Sequence, residues 1–340
     1  MSTDPSQQQP SPILFFETVN SFHKSEVLKA AVELAVFTAI DEGATTVPEI
    51  ARRCETSERG MRTLCDFLVA IGFLIKAENR YSLTLDSTVF LSKRSPAYIG
   101  GAITFLHTPM MVEAFRNVTE AVRKGGTVLP GAGAVEPENP IWVEFARAMA
   151  PLMMMPAELI AELLNAEAAP KWKVLDIAAG HGMFGIAIAK HNPNAQIVAL
   201  DWPNVLAVAR ENAERAGVAD RMTLLPGSAF DVDFGTNYDL VLLTNFLHHF
   251  DFQTCEELLR KVHRALKPGG LAVTFEFVPN EDRVSPSQAA TFSMIMLAMT
   301  PGGDAYPFSE FERMFKNAGF SSSELHPLPP SFESVVISQK

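Results

Sequence analysis

Three glycines spaced G-x-G-x-x-G, Gly180, Gly182 and Gly185, lie in the stretch VLDIAAGHGMFGIAIAKH, directly after an apolar run that reads as a strand. Alone, that string is a dinucleotide-binding fingerprint, in which a pyrophosphate rests on the N-terminus of the following helix. Asp176, four residues before Gly180, makes the opposite electrostatic demand. A carboxylate roughly 5 Å from a phosphate charge, at an effective dielectric of about 20, costs about 3 kcal/mol. A cation reverses the sign, so an acid beside this glycine turn suits a positively charged ligand without phosphate.

S-Adenosylmethionine, which carries an ammonium and a sulfonium, is such a ligand. The elements that must position the turn follow from periodicity. Strands are expected at 173–178, 195–201, 221–226, 238–244 and 270–278, alternating with helices such as PNVLAVARENAERAGV and DFQTCEELLRKVHRAL. Short apolar strands alternating with helices imply a parallel sheet with right-handed crossovers and a ligand at the strands' carboxyl ends. The terminal SSSELHPLPPSFESVVISQK reads as two strands around a proline-containing turn, adding an antiparallel edge. The fold class is α/β, a Rossmann-like seven-stranded sheet with a terminal hairpin, preceded by a mainly helical winged-helix domain.

That N-terminal part reads as short amphipathic helices from about residue 13 to 75, then two strand-like runs around Glu78-Asn79. Helices followed by a β wing make a winged helix-turn-helix. DNA binding has little support, because residues 46–95 carry eight Lys and Arg against six acids, and the would-be recognition helix carries Leu64, Phe67, Leu68 and Ile71. Those side chains want burial, so dimerisation and walling of a substrate site are the expected roles. The boundaries are a disordered leader at 1–12, the winged-helix domain at 13–100, connecting helices lining the substrate site at 101–165, and the cofactor-binding catalytic domain at 166–340.

With 340 residues, 47% of them apolar, and a net charge of −11, the chain has room for a sizeable core and disfavours nucleic acid or an anionic membrane as partner. The three cysteines, Cys54, Cys65 and Cys255, have no metal-site or disulfide spacing. No metal is expected. Without an apolar run of spanning length, a cytoplasmic enzyme is the default.

VLDIAAGHG, IVALD, LVLLTNFLHHF, LKPGGLAVTFEF and the terminal hairpin, in this order and spacing, together resemble a class I S-adenosylmethionine-dependent methyltransferase. With the winged-helix module, the chain is similar to small-molecule O-methyltransferases of plant phenolics and of bacterial polyketide and pigment pathways. The resemblance implies a homodimer and a cofactor site made of Asp176, Ala178, Gly180 and Gly182, Asp201 and Trp202, Gly227, Ser228, Ala229 and Phe230, and Thr244 and Asn245. Asp201 would accept the ribose hydroxyls; Ser228 stands where plant-type members carry an Asp toward adenine.

His248 matches the family's general base, which would take the acceptor's proton while the methyl group passes to oxygen and adenosylhomocysteine is left. The family orients that histidine with an acid whose position here is Ala305, so Asp304, immediately before it, is the expected substitute. A small-molecule acceptor, flat and hydrophobic, would contact Phe145, Met149, Met153, His249 and Met294, methionine being adaptable to irregular apolar ligands. Methylation of carbon or nitrogen, or a non-methylating reaction assisted by the cofactor, stays open beside O-methylation.

Overall fold

The computed structural model describes residues 10–340, so residues 1–9 of the expected leader lie outside the described residues. The chain divides after Ile103 into two compact units. The first holds α1 (Ile13–Val19), α2 (Ser21–Glu33), α3 (Val36–Asp41), α4 (Val47–Arg53), α5 (Glu58–Ala70), the antiparallel pair β1 (Leu74–Ala77) and β2 (Arg80–Leu83), and α6 (Leu85–Phe90). Local chemistry sets these boundaries: Thr46 and Glu49 form a capping box on α4, and the Ser57 hydroxyl accepts from the Gly60 N–H at the start of α5. α5 buries Met61, Cys65 and Leu68, the i, i+4, i+7 stripe of an amphipathic helix.

The second unit begins within α7 (Ala102–Leu106) and continues with α8 (Pro109–Arg116), α9 (Val118–Lys124) and the long α10 (Ile141–Leu163). Strands then alternate with helices: β3 (Lys173–Ile177), α11 (Met183–His191), β4 (Gln196–Asp201), α12 (Pro203–Ala216), β5 (Met222–Pro226), β6 (Tyr238–Thr244), α13 (Phe252–Ala265) and β7 (Leu266–Glu276). α14 (Ser287–Met299), α15 (Phe308–Asn317) and the hairpin β8 (Ser322–Pro327) and β9 (Ser334–Gln339) complete it.

The sheet order is β5-β4-β3-β6-β7-β9-β8, with the first five strands parallel and the hairpin antiparallel. Alternate residues of the central strands point to opposite layers, as the period of two requires. Leu175, Ile177, Val241 and Leu243 pack with Leu258, Leu259 and Val262 of α13 and Phe311 and Phe315 of α15. On the other face, Val174, Leu240, Leu242, Val273 and Phe275 meet Ile160 of α10 and Phe184 and Ile188 of α11. Each such buried side chain contributes about 1.5–3 kcal/mol, so these layers hold the loops at the strand ends in place. The order in which strands are added reverses between β3 and β6, which opens a crevice at their carboxyl ends.

The glycine turn between β3 and α11 is a packing device as much as a cradle. Gly182, at φ +75°, packs closely on α12: a Cβ there would stand 3.1 Å from the Ala209 Cβ, on a backbone that L side chains rarely adopt. A Cβ on Gly185 would meet the Asp176 carboxylate and Ile197, each at 2.9 Å. Asp176 is fully buried, with Oδ2 accepting from the Gly185 N–H at 3.1 Å and Oδ1 unpartnered. Its expected cofactor contact is therefore corrected. Asp176 sits behind the turn and fixes it to α11.

Burial pushes the Asp176 carboxyl up to about 7, against the lowering effect of the Gly185 N–H and with a further push from Asp201. An unfolded Asp ionises near ~3.9, so the folded state binds the extra proton between those values and stability falls as pH rises from about 4 to about 7. Denaturant unfolding of Asp176→Asn at pH 5 and pH 7 checks this. The variant should lose about 2–3 kcal/mol less than the wild type between the two pH values, at about 1.4 kcal/mol per unit, whatever its absolute stability. Equal losses would contradict a buried, proton-binding carboxyl.

Candidate active site

Two cavities adjoin at the carboxyl edge of the sheet. The first, of about 470 Å³, is lined by residues that follow successive strands: Ala178 and Gly180 after β3, Asp201 and Trp202 at β4, Gly227 to Asp231 after β5, and Thr244 and Asn245 at β6. Ala178 adopts the left-handed region at φ +53°, so the backbone at this turn is the shape a glycine would take, at a cost of roughly 1–2 kcal/mol for a residue with a Cβ. The Asp201 carboxylate accepts from the Gly180 N–H at 2.8 Å and the Trp202 N–H at 2.7 Å, and burial pushes it up to about 6 against those two bonds. Each of its oxygens still has a free lone pair. The Ser228 hydroxyl accepts from the Phe230 N–H, and Lys261 reaches over to the Ala229 and Phe230 carbonyls, holding the loop after β5.

The second cavity, about 360 Å³, lies among α10, α14 and the ends of β6 and β7. Phe105, Met149, Met153, Phe277, Phe292 and Met296 supply much of its apolar wall, with Asn245, His248, His249 and Glu333 as its polar groups at the sheet edge. Trp142, Phe145, Asn245 and His249 line both cavities. The Trp142 indole donates to the Ala134 carbonyl and stands edge-on to Phe145 and His249, so the partition between the cavities is aromatic and fixed. Asn245 owes its place to a left-handed backbone, φ +53°, which Asn tolerates better than most residues.

His248 lies in the 3-10 turn Leu247–His249 after β6, buried, with Phe292 edge-on at 4.8 Å. Its Nδ1 is bonded to the Glu276 carboxylate at the end of β7. The other Glu276 oxygen accepts from the Phe246 and Leu247 N–H groups at 3.0 and 2.8 Å. Burial pushes Glu276 up to about 8, against the N–H groups of Phe246, Leu247 and His248, and pushes the His248 imidazole down to about 3. When Glu276 is ionised, the neutral imidazole turns Nδ1–H to the carboxylate and keeps the lone pair on Nε2. That is the tautomer of a proton acceptor.

The expected orienting acid is corrected on this geometry. The Asp304 carboxylate accepts from Arg283 at 2.9 Å and from the Ala305 N–H, and only its backbone reaches His248, the Asp304 N–H donating to the His248 carbonyl at 3.0 Å and leaving the ring untouched. Ala305 is buried, and the bond that an acid there would make is supplied from β7 instead. Met294 is also corrected: it is 43% exposed, while Ile295, Met296 and Met299 on the other side of α14 line the second cavity. Neither Asp176 nor Gly182 lines a cavity, whereas Phe145, Met149, Met153 and His249 do. Sequence reasoning missed Glu276 and Glu333. Glu276 had a signal, a lone acid within the apolar strand run LAVTFEF, which burial obliges to find partners. Glu333, in the hairpin turn, had none.

Residues 131–321 match the family model of the O-methyltransferase domain, and residues 16–93 match the O-methyltransferase dimerisation domain. The chain is 26% identical over 316 residues to 3-hydroxy-5-methyl-1-naphthoate 3-O-methyltransferase of Streptomyces sahachiroi, covering 91% of this chain and 90% of that protein. It is 27% identical over 310 residues to L-tyrosine C(3)-methyltransferase of Streptomyces lavendulae, covering 87% and 83%. A crystal structure from Nostoc punctiforme, described as an O-methyltransferase, is 55% identical and superposes with a TM-score of 0.95 over 98% of this chain and 100% of that one. Human N-acetylserotonin methyltransferase in complex with S-adenosylmethionine shares the fold, with a TM-score of 0.85 at 21% identity over 99% of each chain. The chain belongs to the O-methyltransferase family, a family of S-adenosylmethionine-dependent methyltransferases.

Proposed function

We propose that the protein methylates a hydroxyl group of a hydroxylated aromatic or polyketide-like small molecule, with His248 as general base. The observation that carries this reading is the buried His248–Glu276 pair on the wall of the second cavity, next to the cavity suited to the cofactor. The lining of the first cavity fits S-adenosylmethionine: it offers the carboxylates of Asp201 and Asp231 and, among the described residues, no Lys or Arg for a phosphate. Bound there, the cofactor supplies an activated methyl group on a sulfonium.

The chain's own residues do the rest. Ala178 and Gly180 leave backbone room for the amino-acid end of the cofactor, Asp201 beside Trp202 accepts the ribose hydroxyls, and Gly227, Ser228, Ala229 and Phe230 flank adenine. Thr244 and Asn245 close the side facing the acceptor. Phe145, Met149, Met153 and His249 hold a flat apolar acceptor, whose hydroxyl meets Nε2 of His248. A neutral imidazole there takes the proton as the oxygen becomes nucleophilic, and Glu276 holds the imidazolium that forms. The relative that methylates a hydroxynaphthoate, by its name, supports an aromatic acceptor. The tyrosine C-methyltransferase keeps a second reading, since removing a phenolic proton also activates the ring carbon beside it; the methylated atom, read by NMR of the product, separates the two.

Homodimerisation belongs to the same reading. Ile13, Leu14, Phe15, Phe16, Val19 and Phe22 of α1 and α2 are each more than half exposed, an apolar surface that a monomer in water would not keep. No described helix is long and apolar enough to cross a membrane, and a cytoplasmic setting completes the proposal.

In single-turnover assays with labelled S-adenosylmethionine and a panel of phenols and naphthols, His248→Ala should lower the rate by about 10²–10⁴ while adenosylhomocysteine affinity stays within about threefold. Normal methylation by that variant removes the base. Glu276→Gln should cost a similar factor, because the amide turns the imidazole to the wrong tautomer, and the double variant should be little worse than either single one. Replacing Phe15 and Phe16 by Asp should convert the dimer to a monomer in light scattering; a dimer that survives the change would place the interface elsewhere.

A further inference from the structure

Glu333 has no part in the proton transfer just described, yet it is one of the few polar groups of the second cavity. It is 6% exposed, it lines that cavity, and its Oε1 is buried without a hydrogen-bond partner. The topology explains how a residue so near the chain end arrives there. β9 runs antiparallel to β7, so its first residue, Ser334, pairs with the last residue of β7, Glu276. Glu333, one step earlier, therefore overhangs the carboxyl edge where the parallel strands end. The turn before it is held tightly: Leu328 is buried in the core, the Ser331 N–H bonds the Leu328 carbonyl at 2.8 Å, and the Glu333 N–H bonds the Ser331 hydroxyl at 3.1 Å. The side chain does not hang from a loose loop.

A buried carboxyl oxygen without a partner loses its hydration and gains nothing in return, unless something that enters the cavity supplies a donor. No Lys or Arg lines this cavity among the described residues, so the protein itself offers no cation. Burial and the nearby Glu276 push the Glu333 carboxyl up to about 8, with hydrogen bonding from Asn245 acting against them. Protonated or ionised, a carboxyl keeps an oxygen able to accept.

We propose that Glu333 is a specificity-determining residue: its unpartnered Oε1 accepts a hydrogen bond from a second donor on the acceptor, a hydroxyl or amino group apart from the hydroxyl presented to His248. The acceptor class is thereby narrowed to aromatics carrying two polar donors. This rests on reading the second cavity as the acceptor site.

The test is calorimetric binding to the adenosylhomocysteine-loaded protein, with 2-naphthol against the 1,3-, 1,6- and 2,7-dihydroxynaphthalenes. The wild type should bind at least one diol about tenfold more tightly than 2-naphthol. Glu333→Leu should erase that margin while leaving 2-naphthol and adenosylhomocysteine affinities unchanged. Glu333→Gln, whose amide oxygen still accepts, should restore part of it. A margin that persists in the folded Leu variant, or no margin in the wild type, overturns the assignment. Binding of every naphthol abolished by Trp142→Ala but no methylated product from any would instead count against the methylation reading and leave the Glu333 result standing; no binding of any probe would overturn both.

Discussion

A carboxylate sealed from water at the end of β7 is the constraint around which the active edge of the sheet is built. Glu276 is fully buried, and a buried charge is tolerated only with its bonding capacity met. Its partners come from one segment: the N–H groups of Phe246 and Leu247 and the ring of His248. β6 and β7 are parallel neighbours, with Thr244 beside Phe275, so the chain leaving β6 must turn at once over the end of β7 to reach this acid. The 3-10 turn that presents His248 is the shape that satisfies the carboxylate. The path of the backbone and the orientation of the imidazole thus follow from one desolvated group.

The same constraint separates what was legible in the sequence from what was not. Strand periodicity was legible: the expected run at 238–244 coincides with β6, and the hairpin forms the antiparallel edge. β7 begins at Leu266, not 270, because Leu266 already pairs with Tyr238; Lys267 to Gly270 form an irregularity before the register resumes at Leu240 and Leu271. The place of His248 on the cavity wall was legible because its motif is local. Its partner was not, because a residue 28 positions away is brought close by strand order, and the family pattern pointed toward the loop of Ala305 instead. Met294 and Met296 differ by two positions in a helix whose apolar residues run all round it, so periodicity could not say which faced inward.

Asp176 illustrates a different limit. The electrostatic reasoning that set it against a phosphate depends on sign and approximate place, and both hold whether it touches a ligand or stands behind the turn. What composition could not reveal is that Gly185 packs against the acid itself, so that the glycine spacing serves helix-to-strand contact and only Gly180 of the three lines the cavity. A fingerprint shared by phosphate-binding and cation-binding folds therefore records a packing geometry first, and the charge nearby decides what the turn receives.

Charge across the two cavities carries the same logic further. Asp201 and Asp231 line one, Glu333 lines the other, Glu276 lies just behind it, and no Lys or Arg lines either among the described residues. Asp201, Glu276 and Glu333 are all pushed upward by burial, so a proton or a nearby cation stabilises each of them. On the proposed reading, a cationic methyl donor would relieve that imbalance, and the same field would resist the loss of its charge. A proton taken up by His248 would then restore a positive charge within reach of Glu276, where a buried carboxylate would stabilise it.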